Sequence, residues 1–383
     1  MDAPNSKYHE NNFIEENFKK ALLPLHFLQY ALFLSKYTIR NNFVYSKSYI
    51  YSIFSVLFGS LVIYCHYFHL YDERRLIKRL KQVLYYSIEF NFVLSNIDCF
   101  FLCINNIYNT KNSARLIIKV QKILKNFNTN KLIKKWKYEN WIIVGYQFFI
   151  YTTIGIIYSK LYDKKFGFNS VFLYIFTYMY YDVNIVCAYR YMKLLKICLN
   201  LWIQNLKQHS QIFPNIITER DDELNYKKMF QIYLDILEAF DKFKIIFGLP
   251  IFLLVADNFG HSLIYVQVFI ELGKMGILLA GIITETYVFM WILKNMLVLS
   301  FCIKMCEDFY TNINEAVRSC IIQLQNNNCT GLKILYKRVK RVNNAKFNKM
   351  TACGCFTVDA TLPLRFFDLF AIYTIVLLQF AFP

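Results

Sequence analysis

The chain has 383 residues, of which 56 % are hydrophobic and 19 % aromatic, more apolar side chain than a soluble core of that size could hide, so the bilayer is the expected solvent. A formal net charge of +18 would suit a nucleic-acid-binding protein, but the lysines sit between apolar runs instead of on a soluble domain, which argues against nucleic acid as a partner. Eleven cysteines scattered through apolar and basic stretches make neither a disulfide framework nor a zinc site, and no metal or cofactor is expected.

The first stretch, "MDAPNSKYHENNFIEENFKK", is polar and has no apolar core after its charges, unlike a cleaved signal peptide. It leads into "ALLPLHFLQYALFL" at 21–34, which is too short to span and is interrupted by Pro24, His26 and Gln29. The expectation is an interfacial or re-entrant helix inside a cytoplasmic segment over 1–46. Seven apolar runs near the roughly 20 residues a spanning helix needs follow at about 48–70, 83–104, 141–161, 170–188, 243–267, 275–301 and 356–382. The expected fold is therefore an all-α membrane protein, with seven transmembrane helices filling 47–383.

Orientation follows Lys and Arg. With the N-terminus inside, the cytoplasmic side receives Lys19, Lys20, Lys36, Arg40 and Lys47, the loop carrying Lys111 to Lys137, and "KILYKRVKRVNNAKFNK". The first loop, "LYDERRLIKRLKQ", stands against this arrangement but is outweighed. An odd number of spans then puts the C-terminus outside, and the sequon at Asn328 falls in a cytoplasmic loop, where it should go unmodified.

Two cytoplasmic stretches keep a helical period beyond the membrane: Met192, Leu195, Leu199 and Trp202, and Phe230, Tyr233, Leu237, Phe240 and Phe243. Their apolar faces would either gather subunits around an axis or pack within one chain.

Ionisable groups in a span are costly, so each is a functional candidate until paired. They are Glu89, Asp98, Asp182, Asp257 and Glu285, with Asp359, Arg365 and Asp368 around the start of the last span. Arg365 and Asp368, at i, i+3, are expected to neutralise each other. In the outward halves of the spans, Glu89, Tyr151, Tyr174, Tyr178, Asp182, Asp257, His261 and Glu285 are the candidate ligand-binding residues. Asp257 and His261 stand one turn apart on one face, whereas any one of the tyrosines also suits an interfacial belt. No His-Glu-x-x-His, Walker, Gly-x-Ser-x-Gly or dinucleotide-binding pattern occurs, so no enzyme is expected.

The last helix ends "IYTIVLLQFAFP". Val376, Gln379 and Phe380 share a face, with Tyr373 one turn earlier, and a glutamine facing lipid would be unfavourable. That face could line an axial pore in a symmetric assembly. A helix packed in the core of one chain, with Gln379 bonded to a neighbour, fits the same spacing.

"IYTIVLLQF" resembles the C-terminal signature of insect gustatory receptors, in which Thr-Tyr, five hydrophobic residues and Gln-Phe follow one another. "TACGCFTVD" at 351–359 is similar to the stretch preceding that helix, and "LKICLNLWIQNL" to the segment after the fourth span. Ile372 replaces the usual threonine, and Thr374 stands where sugar-sensing members carry glutamate, which directs the likeness to the divergent bitter or plant-compound type. The resemblance implies a tetrameric, tastant-gated, non-selective cation channel in the plasma membrane of a gustatory neuron dendrite. Its partners would be a small-molecule tastant, permeating monovalent and divalent cations, and identical or related subunits in a homotetramer or heteromer. Anchor portions at about 190–243 and 302–350, a pore helix at about 356–383, and a pore and gate made by Val376, Gln379, Phe380 and Tyr373 follow from the same likeness. An odorant-receptor-type channel is the alternative, with a seven-helix G-protein-coupled receptor or a transporter further off.

Overall fold

The computed structural model describes residues 12–77, 82–161, 168–212, 219–274, 278–326 and 329–381. Side chains chiefly at 65–85, 157–178, 209–222 and 271–289 lie outside the described residues, as does the sequon at Asn328. Ten helices occur among the described residues: α1 (Glu16–Ala31), α2 (Tyr49–Ile77), α3 (Gln82–Tyr108), α4 (Thr110–Leu124), α5 (Asn130–Leu161), α6 (Phe168–Ile212), α7 (Glu219–Lys274), α8 (Leu278–Asn326), α9 (Thr330–Lys346) and α10 (Leu362–Ala381).

The expected apolar runs at 48–70, 83–104, 141–161, 170–188 and 243–267 each fall on one helix, within a residue at the ends. Three helices are far longer than a bilayer requires. At 1.5 Å per residue, α6 with 45 residues, α7 with 56 and α8 with 49 reach ~70, ~85 and ~75 Å, against a hydrocarbon core of about 30 Å. Among the described residues one helical stretch, Leu362–Phe380, is long and apolar enough to cross a membrane by length and composition. Elsewhere polar side chains such as Asp98, Asp182, Asp257 and Lys294 interrupt the apolar runs.

Two small hairpins qualify the all-α expectation. β1 (Tyr37–Arg40) pairs antiparallel with β2 (Phe43–Ser46), and Asn41 and Asn42 turn between them with φ of 49° and 62°. Positive φ at both central residues matches the right-handed strand twist, and Asn tolerates it better than other non-glycine residues. β3 (Thr351–Ala352) and β4 (Phe356–Thr357) close around Cys353 and Gly354, both at positive φ.

The second hairpin also corrects the start of the last helix, placed near 356 by its apolar run. Asp359 accepts from the Thr361 backbone N–H at 3.1 Å and from the Thr361 hydroxyl at 2.6 Å. This local turn holds the chain out of helix until Leu362, with Pro363 in the first turn, where its missing N–H costs nothing. In the segment at 21–34, Leu22, Leu25 and Leu28 are buried while Leu23, Phe27 and Tyr30 are exposed; α1 packs on α5, and Asn140 donates to the Ala21 carbonyl at 2.8 Å.

The period-bearing faces of α6 and α7 meet inside one chain. Met192, Leu195, Leu199 and Trp202 are fully buried, as are Tyr233, Phe240 and Phe243. Trp202 lies 5.2 Å from the Tyr233 ring, and its indole N–H donates to the Met229 carbonyl at 2.8 Å. α8 and α9 complete this bundle, with Phe309 4.8 Å from Phe240. The cysteine pairs 99/103 and 302/306 are buried free thiols.

Pro250 sits inside α7 and has no N–H for the Ile246 carbonyl. Asn105 on α3 supplies the missing donor, its amide reaching Ile246 O at 3.1 Å, and Asn109 donates in turn to the Asn105 side-chain oxygen at 2.8 Å.

α10 rests chiefly on α7. Leu362 and Phe366 are buried and Pro363, Phe370, Thr374 and Leu377 partly so, forming a strip at helical spacing, while the other side chains up to Phe380 are exposed. Among the described residues Arg365 and Asp368 make no ion pair with each other, contrary to their spacing, and both stand exposed. A base placed before the acid is the weaker orientation on a helix.

Candidate functional site

Four helices bring polar side chains to one interior cleft. On α7, Pro250, Leu253, Leu254, Asp257 and His261 recur every three or four residues and form one face. Opposite them stand Ser95 and Leu102 of α3, Asp182, Asn184 and Ile185 of α6, and Lys294 and Asn295 of α8. Together they line a narrow cleft, open on one side, with a free volume of about 20 Å³. α3 packs on α7 at Gly260, where a Cβ would stand 2.9 Å from the end of the Leu94 side chain.

At one end of the cleft Lys294 Nζ is 2.8 Å from Asp182 Oδ2. The Tyr151 hydroxyl of α5 donates to that same carboxylate, and Lys294 reaches the Tyr151 hydroxyl at 3.4 Å. Asp182 is 4 % exposed, so the desolvation of both charges is offset only by mutual contact and the tyrosine bond. His261 Nε2 lies 3.2 Å from Asp257 Oδ1, and the buried Asp98 of α3, which does not itself line the cleft, neighbours Asp257. Asn295 donates to Asn258 Oδ1 at 2.8 Å, and Ser262 to the Asn258 carbonyl at 2.6 Å.

Of the ligand candidates named from sequence, Asp182, Asp257 and His261 line the cleft, and Tyr151 touches it through Asp182. Glu89 is partly exposed on α3, six residues before Ser95. The side chains of Tyr174, Tyr178 and Glu285 lie outside the described residues. Sequence reasoning missed Lys294, Asn184, Asn295 and Ser95. The signal for Lys294 was present, since a lysine within "MWILKNMLVLS" meets the same cost as the carboxylates that were flagged.

On α10, Val376 is 38 % and Phe380 82 % exposed, and Gln379 points away from α7. Tyr373 meets the edge of the Phe259 ring at 5.7 Å. Ile372, Ile375 and Leu378 are exposed as well, so the packed strip leaves most of the helix surface uncovered.

A separate network ties α5 to α6. Arg190, 1 % exposed, donates to Asn140 Oδ1 at 2.6 Å and to Glu139 at 2.9 Å. Lys193 joins the same carboxylate at 2.7 Å. Burial pushes the Glu139 carboxyl up, but these two cations outweigh it and hold it below its ordinary range. Lys36 is buried with its ammonium 4.8 Å from the Phe247 ring centroid and no hydrogen-bond acceptor among the described residues. Desolvation lowers it to about 8.

An almost wholly helical chain with helices longer than a bilayer and ionisable groups gathered in its interior is built as an integral membrane receptor. A family model described as 7tm Chemosensory receptor matches residues 26–382, and the chain belongs to that family. Membrane residence and recognition of small molecules come with that membership, and the family is not one of enzymes. No curated protein matches the chain.

Proposed function

We propose that the protein is a gustatory receptor that opens a non-selective cation pathway when a small, non-volatile compound of the bitter or plant-derived type occupies its interior cleft. The observation that carries the reading is α10: the one helix among the described residues long and apolar enough to cross a membrane is only 11 % buried, and a glutamine lies opposite its packing strip. Lipid can cover apolar side chains but not an amide, so Gln379 calls for water or another subunit. Four copies placing α10 around an axis would give Gln379 a wet lumen and make Val376 and Phe380 apolar rings able to gate it.

Seven spans, a cytoplasmic N-terminus and an extracellular C-terminus belong to this reading. So do anchor portions at about 190–243 and 302–350, where the self-contained bundle of α6 to α9 would project from the membrane, and a plasma-membrane location in a gustatory dendrite. Expression in oocytes, alone and with related receptors, tests it with a panel of alkaloids, glucosides and sugars. Ligand-evoked cation currents whose permeability ratios change in Gln379→Ala are expected; currents unaltered by this variant would remove Gln379 from the pathway.

A further inference from the structure

The lysines at the start of α5 differ from those of the helix before it. Lys119 and Lys122 of α4 reach the Asp235 carboxylate at 3.5 and 2.9 Å, and Lys125 reaches Glu15 at 3.5 Å. Lys131, Lys134 and Lys135 are exposed and make no ion pair among the described residues. The nearest acid along the helix, Glu139, is held by Arg190 and Lys193 at 2.9 and 2.7 Å. Spaced at i, i+3 and i+4, the three ammoniums share a face and repel one another, and the first turn of α5 carries no acid to offset them. The helix dipole adds to the same positive field.

That face runs without a break into apolar surface. Lys131, Lys135, Tyr138, Ile142, Tyr146 and Phe149 follow one another at three- and four-residue steps and form a single strip along α5. All six are exposed, Tyr138 at 68 % and Phe149 at 70 %, while Trp136, Asn140, Val144 and Gln147 on the opposite side are buried. In a membrane-resident chain such a strip is covered by lipid. The apolar run begins at Trp141, so at 1.5 Å per residue Lys135 lies ~9 Å and Lys131 ~15 Å beyond its edge. Headgroups fill about 5–8 Å on each side of the hydrocarbon, and lysine stems reach back toward that layer. The ammoniums therefore meet phosphate that projects past the ordinary phosphodiester level.

Resting on the reading that this end of α5 is cytoplasmic, we infer that Lys131, Lys134 and Lys135 bind the headgroup of a polyphosphorylated inositol phospholipid of the inner leaflet, whose acyl chains lie along Tyr138, Ile142 and Phe149. A headgroup with several phosphates meets all three ammoniums at once. A serine headgroup offers one net charge, and a choline headgroup brings a cation of its own.

The test is thermal stabilisation of the purified full-length receptor in detergent, at fixed ionic strength. Its probes are dioctanoyl phosphatidylinositol bisphosphate, dioctanoyl phosphatidylserine, dioctanoyl phosphatidylcholine and free inositol trisphosphate. A saturable rise in unfolding temperature is expected at the lowest concentration of the bisphosphate lipid, a weaker response to the serine lipid and to the free trisphosphate, and none to the choline lipid. Lys131→Gln, Lys134→Gln and Lys135→Gln should each weaken the apparent affinity about fivefold and the triple variant about a hundredfold, as the worth of one lysine near an anionic surface implies. The charge-matched control combines Lys333→Gln, Lys337→Gln and Lys340→Gln on α9, also exposed but on a helix that does not run on into an apolar span; it should respond as the parent does. The ranking of the four probes needs no variant, so a misfolded mutant leaves the test intact. Equal responses to the bisphosphate and choline lipids, a free trisphosphate as strong as the lipid, no saturable response to any probe, a triple α5 variant with parental affinity, or equal loss in the α9 control would overturn the inference. Orientation is read separately, with an impermeant thiol reagent on intact cells, which should label Lys135→Cys no more than the unsubstituted receptor. Labelling there would sink the cytoplasmic placement of this end of α5, whereas protection without a lipid response would sink this inference alone.

Discussion

The α6 to α9 bundle and the terminal helix α10 are both strongly apolar, yet they solve opposite problems. In the bundle, Met192, Leu195, Leu199 and Trp202 find Tyr233, Phe240, Phe243 and Phe309 within the same chain, and nothing large is left uncovered on those faces. α10 covers a single strip against α7 and leaves Ile372, Ile375, Val376, Leu378 and Phe380 exposed. Apolar periodicity therefore says that a face is buried, not by what: the bundle is a core in its own right, and α10 is half of an interface whose other half is lipid, water or a second subunit.

The largest break in that contrast should come from the bundle's centre. Trp202→Ala removes the ring packed on Tyr233 and the donor to the Met229 carbonyl, at an expected cost of about 3–5 kcal/mol. Unfolding in detergent, read by intrinsic fluorescence or calorimetry, checks it. Next comes the cleft, where Lys294→Met strands Asp182 with Tyr151 as its remaining partner, at about 3 kcal/mol or more. The double variant Asp182→Asn with Lys294→Met should recover most of that loss in the same assay, and additive losses would contradict the pairing.

Lys36→Met sharpens the comparison from below, because here the core holds a charge it does not neutralise. Its folded value of about 8 lies beneath the ordinary 10.5, so the unfolded chain binds more protons between those values and stability rises with pH across the interval. The penalty is full below pH 8 and gone above pH 10.5. The variant should therefore be more stable than the parent by roughly 3 kcal/mol at pH 7, with the gap closing toward pH 10.5 in parallel thermal melts. The smallest effect belongs to α10. Ile375→Ala should shift the melting of a detergent-solubilised monomer by no more than about 0.5 kcal/mol, as befits an exposed side chain.

Much of the helical layout was legible because 20-residue apolar runs and a 3.6-residue period survive any amount of tertiary context. Tyr151, Asp182, Asp257 and His261 could be flagged one at a time by the cost of polar groups in a span, yet their pairing across five helices could not be. That Asp98 neighbours Asp257, or that Lys294 answers Asp182 from 112 positions along the chain, depends on how α3, α6, α7 and α8 pack. Two misses had local signals. Asn41-Asn42 between "YTIR" and "FVYS" is a hairpin pattern, hidden by its four-residue strands. Asp359 before Thr361, Leu362 and Pro363 marks a helix start that the apolar run from Phe356 obscured. The Asn105 bond to the Ile246 carbonyl had no local signal beyond Pro250, because its donor lies on another helix.

The central claim, that the uncovered side of α10 carrying Gln379 faces an ion pathway, is tested most directly by cysteine accessibility in conducting receptors. Val376, Gln379, Phe380, Ile375 and Leu378 are replaced by cysteine one at a time, and a charged, membrane-impermeant thiol reagent is applied while ligand-evoked currents are recorded. The unsubstituted receptor controls for the exposed thiols Cys353 and Cys355. Block at 376, 379 and 380 with sparing of 375 and 378 is the predicted pattern. Block confined to 375 and 378, or none along the helix, would contradict it.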